Sequence, residues 1–221
     1  MINIYDMTRE DLIEWLNTQN VKSFKAIQIY EWLYGKRVTT FDEMTNLKKE
    51  FIDTLKNTFT IEGLIIKRKQ EDDTAIKYLF ELRDKNLIEA VVMKHDYGTS
   101  VCVSSQIGCN MGCAFCESGR LKKVRNLLPG EIVGQLLKIE EDANLRISSV
   151  VVMGIGEPFD NYDNIVRFLK IINDAKGMAI GARHITVSTS GLVPKIYELA
   201  DKKIQCTLSI SLHATTDEKR S

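Results

Sequence analysis

Cys109, Cys113 and Cys116 stand at C-x3-C-x2-C spacing within VCVSSQIGCNMGCAFCESGR, residues 101–120, and no other feature constrains the chain as tightly. Three thiolates this close can converge on one metal centre. A tetrahedral zinc site asks for a fourth protein ligand, normally brought by a second Cys or His pair further along. The other cysteines, Cys102 and Cys206, and the histidines, His95, His184 and His213, are all isolated in sequence. A [4Fe-4S] cluster is normally held by four thiolates; three of them leave one iron open to a ligand that is not protein. Two plainer readings stay beside this one. Free cysteine is among the most buried residue types, so a core-filling role competes, as does zinc, but three cysteines in one short loop with Gly108 and Gly112 fit a tightly folded cluster loop better.

The 221 residues are 44% hydrophobic, enough for a substantial core in one large or two smaller domains. Thirty basic and thirty acidic residues cancel, so a nucleic-acid partner has to be met by local patches. The N-terminus, MINIYDMTRED, lacks the pattern of a signal peptide, and no run approaches the roughly 20 apolar residues of a membrane span. The expectation is a cytoplasmic protein with no membrane partner, whose cysteines serve a metal or catalysis rather than stable disulfides.

Residues 1–60 read as small amphipathic helices. Thr8 and Asp11 form a capping box ahead of Leu12, Ile13 and Leu16. A second helix is expected over 24–34, capped by Ser23 and ended by Gly35, and a third over 45–59. Trp15, Tyr30, Trp32 and Tyr34 fit core better than an RNA-stacking surface, being aromatics at helical spacing. Strands follow over 64–69, 76–82 and 87–94, the last two joined as a hairpin through residues 83–86. Glu89, within IEAVVM, reads from its residues alone as a carboxylate on the polar side of an antiparallel sheet. The run Lys67-Arg68-Lys69 reads as a solvated edge.

From residue 99 strands and helices alternate: strands over 99–106, 148–153, 184–188 and 205–212, and helices over 129–141, 162–173 and 194–199. The strands are β-branched and nearly continuously apolar, as parallel strands are. Such sheets bind ligands at the C-terminal ends of their strands. After the second strand comes Met153-Gly154-Ile155-Gly156-Glu157-Pro158, where the glycines admit a ligand close to the backbone and Glu157 offers an acceptor for an ammonium group. The third strand ends in Val187-Ser188-Thr189-Ser190-Gly191 and the fourth in Ser209-Ile210-Ser211-Leu212-His213, supplying hydroxyls and a carbonyl, or merely strand-end caps. Together with the cysteine loop after the first strand they make one rim.

The cysteine spacing resembles the signature of the radical S-adenosylmethionine (SAM) superfamily. VCVSSQIGCNMGCAFC, MGIGEPFDN, HITVSTSGLVP and SISLHA resemble, in order, the RlmN family of radical SAM adenine-C2 methyltransferases. That resemblance implies an α/β fold, a partial (β/α) radical SAM barrel with four of six strands present, behind a small N-terminal α+β accessory domain. The expected domains are 1–94, helical with a β-hairpin and RNA-binding, and 95–221, the incomplete radical SAM core. It implies a [4Fe-4S] cluster on Cys109, Cys113 and Cys116, and SAM contacts at Gly156, Glu157, Ser188, Ser211, Leu212 and His213. Glu89 resembles the family's proton acceptor, and Cys102 the thiol that resolves a protein-RNA adduct through a transient disulfide. The implied partners are ribosomal RNA, in some members transfer RNA, and an external electron donor such as flavodoxin.

One departure stands against these matches. The family uses a later cysteine to carry the methyl group and a later Asn for SAM, and neither has a counterpart here, Cys206 lying inside the fourth strand. The expectation is therefore a C-terminally truncated copy, not competent alone. Two alternatives remain: a Cfr-type relative acting at adenine C8, and a noncatalytic RNA-binding fragment using its N-terminal domain with Arg120, Lys122, Lys123 and Arg125, although those cations read first as a solvated loop.

Overall fold

The structure, a computed structural model, describes residues 1–96 and 98–220, with the backbone alone at Arg220. A short strand β1 (Ile2–Asn3) leads to α1 (Arg9–Thr18). The expected capping box starts this helix: the Asp11 N–H donates to the Thr8 hydroxyl at 3.2 Å, and the Thr8 N–H to the Asp11 carboxylate at 2.8 Å. The helix expected over 24–34 divides into α2 (Lys25–Tyr30) and a π-turn over Glu31–Gly35. Ser23 does not cap it through its side chain. The chain enters through a preceding turn in which the Lys25 and Ala26 N–H groups bond the Lys22 and Ser23 carbonyls, so the first donors are already satisfied by backbone. The wide π-turn points Trp32, Leu33 and Tyr34 inward; with Tyr30 they are buried, so these aromatics are core. The third helix, α3 (Lys49–Thr58), starts four residues later than expected because the chain first turns at Met44–Leu47, where the Asn46 amide oxygen accepts the Trp32 indole N–H at 2.6 Å. β2 (Phe59–Thr60) then pairs in parallel with β1.

β3 (Ile65–Glu71), β4 (Ala75–Glu81), β5 (Leu87–His95) and β6 (Gly98–Val103) form an antiparallel meander. Two short strands, β7 (Gln106–Ile107) and β8 (Arg125–Asn126), pair antiparallel and close the base of the cysteine loop. α4 (Pro129–Ala143), β9 (Ser149–Val152), α5 (Tyr162–Asn173), β10 (Ile185–Thr189), α6 (Val193–Asp201), β11 (Thr207–Ile210) and the turn-length α7 (Asp217–Arg220) complete the alternation. The main sheet has the order β11-β10-β9-β6-β5-β4-β3. Its β6, β9, β10 and β11 are parallel, the expected four strands, and the meander extends the same sheet at the β6 side, so hydrogen bonding runs unbroken across residue 94.

The two faces of this sheet differ. Tyr78, Ile88, Val92, Val101, Val150 and Val187 fall on one face, fully buried in a core shared with Leu136 of α4 and Phe168 of α5. Alternation and register put Lys77, Glu89, Val91, Cys102, Val151 and Thr186 on the other face, where none of the six is fully buried.

The helical N-terminal segment is fastened to the α4–α5 layer by directed bonds. The Asp6 carboxylate accepts the Gly130 N–H at 2.8 Å in the first turn of α4, Arg167 reaches Asp11 at 2.7 Å, and Arg9 pairs with Asp174 at 2.6 Å. Burial nevertheless raises the Asp6 pKa, against the lowering effect of that N–H. No helix among the described residues is long and apolar enough to cross a membrane.

Candidate active site at the strand ends

The expected first strand, 99–106, ends early, and the reason shapes the site. At Ser104 a side chain replaces the ladder: Gln135 of α4, fully buried, accepts the Ser104 N–H at 2.9 Å and donates to its carbonyl at 3.0 Å. The Ser105 and Gln106 N–H groups both bond the Ile155 carbonyl, at 2.9 and 3.1 Å. The chain thus peels off the sheet and turns into the cysteine loop. Val124 N–H to Ile107 O at 2.8 Å and Cys109 N–H to Leu121 O at 3.0 Å pin the loop ends together. Gly108 lies at φ +73° with a hypothetical Cβ 2.3 Å from the Lys122 carbonyl oxygen, so only glycine fits that crossing.

The loop faces a cavity of about 640 Å³ at the C-terminal ends of β6, β9 and β10. Its wall includes Cys109, Cys113 and Cys116 from the loop, Gly156 and Glu157 after β9, Ser188 at the end of β10, and Ser211, Leu212 and His213 after β11. Those residues were expected from four separate stretches of sequence, and the fold brings them to one place. Glu89 and Cys102 are not in that wall. Glu89 lies on the less buried sheet face with its carboxylate 2.8 Å from the Lys77 ammonium. Cys102 is half-buried one residue pair along the same face; burial raises its thiol pKa, against the lowering effect of the neighbouring Met153 N–H. Met153 itself lines the cavity, so Cys102 lies beneath the wall.

Glu157 is the best-defined group of the site. It is 4% exposed, and its Oε1 accepts from the Phe159 N–H at 3.0 Å and the Thr189 hydroxyl at 2.6 Å, while Oε2 accepts from the Ser190 N–H at 2.8 Å. A carboxylate has about four acceptor positions. Three are taken, and the remaining one, on Oε2, suits a cationic donor arriving from the cavity. Gly154 and Gly156 line the cavity and have a second task besides the expected one of admitting a ligand. A Cβ at Gly154 would lie 2.8 Å from the Ser104 nitrogen, and one at Gly156, φ +104°, 2.5 Å from the Gln106 Cβ. The glycines let this turn pack against residues 103–106 and thereby aim Glu157. Ser188 and Ser211 share a hydrogen bond at 3.0 Å between neighbouring strand ends, and the His213 ring lies 4.4 Å from that of Phe115 across the cavity mouth.

All five cysteines are free thiols, so the disulfide expected of Cys102 is not formed here. Among the described residues no three His, Cys, Asp or Glu side chains are gathered closely enough to hold an ion as they stand. The donor set is nonetheless the right one for iron and sulfide: three thiols on one loop, facing one cavity, with Cys109 already accepting the Met111 N–H at 3.5 Å. The cations considered for an RNA strip are mostly turned to protein. Lys123 bonds Asp160 at 2.8 Å, Arg125 pairs with Asp84 and Glu131 at 2.7 Å each, and Arg120 with Glu117 at 3.3 Å. Gln106, Gln135, Asp160 and Asn161 were missed as site residues; the signal available was SSQ and PFDN for Gln106, Asp160 and Asn161, and for Gln135 a lone amide on the apolar face of the helix pattern PGEIVGQLL.

Residues 103–221 match the model of the radical SAM superfamily, and residues 2–61 match that of the ribosomal RNA large subunit methyltransferase N-terminal domain. The chain belongs to the radical SAM superfamily, whose members at the family level use SAM and a [4Fe-4S] cluster. Within it the chain is homologous to the RlmN family. It is 54% identical to a probable dual-specificity RNA methyltransferase RlmN of Enterococcus faecalis over 99% of its own length and 63% of the relative's, and 54% identical to that of Acholeplasma laidlawii over 99% and 65%. The crystal structure of a radical SAM methyltransferase from Sphaerobacter thermophilus superposes with a TM-score of 0.89 at 39% identity, covering 100% of this chain and 66% of that one. The chain thus spans just under two thirds of the length of the curated relatives it matches.

Proposed function

We propose that this chain binds a [4Fe-4S] cluster through Cys109, Cys113 and Cys116 with SAM beside it, as the cofactor-binding part of an RlmN-type methylation of adenine C2 in large-subunit ribosomal RNA and transfer RNA. The observation that carries the reading is the single cavity wall that presents three free thiols together with a buried carboxylate having one acceptor position left. The names of the relatives, as dual-specificity RNA methyltransferases, support the substrate class. Cys109, Cys113 and Cys116 would hold the cluster, which when bound would supply one-electron reduction of SAM, the radical chemistry needed because C2 of adenine offers no nucleophile to a methyl cation.

The chain's own residues bind and orient. Glu157 takes the SAM ammonium at its free acceptor position, and the paired hydroxyls of Ser188 and Ser211, each with bonding capacity to spare, receive polar groups of the same ligand. Gly156, Leu212 and His213 bound the pocket beside them. Glu89 and Cys102 share one sheet face, with Cys102 beside the Met153 wall of the cavity, which supports their reading as proton acceptor and resolving thiol, since a base turned out of its stack has to be received in a pocket beside the cofactor. In this reading residues 1–94 form the RNA-binding accessory region and residues 95–221 the radical SAM core, with electrons from an external donor such as flavodoxin.

The test is reductive cleavage. Anaerobically reconstituted chain, given dithionite and SAM, is expected to release 5'-deoxyadenosine, and Cys113→Ala to release none. Equal release from both proteins, or none from a parent that holds its cluster, contradicts the reading.

A further inference from the structure

Gln106 is a fully buried amide at the point where the chain leaves β6 for the cysteine loop. A buried amide is costly unless its bonds are made, and this one makes three. Its Oε1 accepts the Glu157 N–H at 2.9 Å, and its Nε2 donates to Asn126 Oδ1 at 2.8 Å and to Asp160 Oδ2 at 2.9 Å. The chemistry of the partners fixes the amide's orientation: a backbone N–H can only donate, and an ionised carboxylate can only accept. The three partners come from two segments: Asn126 pairs with Gln106 at the exit of the cysteine loop, and Glu157 and Asp160 are the N-cap and a member of the one 3-10 turn Pro158–Asn161. Asp160 Oδ2 also takes the Lys123 ammonium at 2.8 Å, so the loop exit is held a second time by the same oxygen. Gly156, at φ +104°, packs directly on the Gln106 side chain.

We propose that Gln106 is a positioning residue whose side-chain amide sets the Glu157 turn in register with the cysteine loop, so that one SAM molecule can meet the Glu157 carboxylate and a cluster on that loop at once. The proposal rests on the SAM-binding reading above. It does not follow from burial alone, because an apolar side chain of the same length would fill the space and tie neither the loop exit nor the Glu157 turn.

Three variants and two readouts test it. Gln106→Met keeps the volume and removes every bond. Gln106→Glu keeps the bond to the Glu157 N–H and sets a second carboxylate against Asp160. Gln106→Glu with Asp160→Asn restores a carboxylate-amide pair with the roles exchanged. In the chain without cofactor, hydrogen exchange followed by mass spectrometry is expected to speed up in Gln106→Met both in peptides covering residues 153–161 and in those covering 106–126, while α5 beyond residue 165 keeps its protection. In the reconstituted chain, Gln106→Met is expected to retain the parent's iron and to weaken SAM binding about tenfold, the value of one net hydrogen bond. Gln106→Glu should lose at least as much, and the exchanged pair should recover most of it, a non-additivity that general destabilisation does not produce. Unchanged exchange in either segment overturns the proposal, as does exchange that quickens throughout the chain. Unchanged SAM affinity overturns it too, where Glu157→Gln does weaken SAM. If Glu157→Gln also leaves SAM affinity unchanged, the SAM reading has failed, and the exchange result alone decides whether Gln106 sets the register.

Discussion

The Thr189 hydroxyl donates to Glu157 Oε1 at 2.6 Å, tying the end of β10 to the turn after β9 through the same carboxylate that lines the cavity. Glu157 therefore does two things at once. One oxygen joins two strand ends, and the other, holding the Ser190 N–H, keeps room for a ligand.

Glu157→Gln separates these tasks. The amide oxygen can keep the Phe159 and Thr189 bonds, but the new NH2 group opposes the Ser190 N–H and presents no charge to an ammonium. Loss of a charge-assisted bond is expected to weaken SAM binding by roughly 10- to 150-fold, equivalent to about 1.5–3 kcal/mol, with iron content unchanged. Equilibrium binding of SAM to reconstituted protein checks this; cluster loss with unaltered SAM affinity contradicts the assigned role.

Gly156→Ala meets two penalties, a left-handed backbone at φ +104° and a Cβ 2.5 Å from the Gln106 Cβ. Together they are expected to cost roughly 2–5 kcal/mol of stability. Gly112→Ala, at φ +63° with open space around it, serves as the comparison and should cost about 1–2 kcal/mol. Urea unfolding of the two variants beside the parent measures the difference, and equal midpoints for the two would show that the turn does not pack as described.

Acid should release a tie between the β4–β5 hairpin and the base of the cysteine loop. The Arg125 guanidinium, 2.7 Å away, lowers the Asp84 pKa to about 2. A carboxylate whose folded pKa lies below its unfolded value, about 3.9, stabilises fully above that value, and the contribution is lost as pH falls from near 4 toward about 2. Both side chains are partly solvated, so the effect is small and screened by salt. Melting temperature against pH between about 2 and 5 should show a shallower acid slope in Arg125→Ala than in the parent; parallel slopes contradict the assignment.

Much of this fold was legible because its strands carry their own signals. The continuous β-branched runs gave the four parallel strands, and α5 was placed at its observed limits by apolar spacing from Tyr162 to Asn173. Two things were not legible. Ser104 and Ser105 continue a strand pattern in sequence, yet the buried Gln135 amide, thirty-one residues away, removes Ser104 from the ladder. The glycines at 154 and 156 were read as room for a ligand, and they line the cavity, but the close packing of their turn on the chain's own residues 103–106 was not foreseen. Both are contacts between segments distant in sequence, which local propensity and periodicity do not encode. The cysteines, Glu157 and the polar strand tips were legible because parallel sheets put chemistry at the same end of every strand.

The metal content of protein prepared without air tests the assignment of the three cysteines most directly. Iron and sulfide analysis, with the electron paramagnetic resonance spectrum of the reduced sample, is expected to give about four of each per chain and a signal that shifts when SAM is added. Cys113→Ala should lose both. Zinc as the sole metal, or a full cluster that survives Cys113→Ala, would contradict the assignment of Cys109, Cys113 and Cys116 as its ligands.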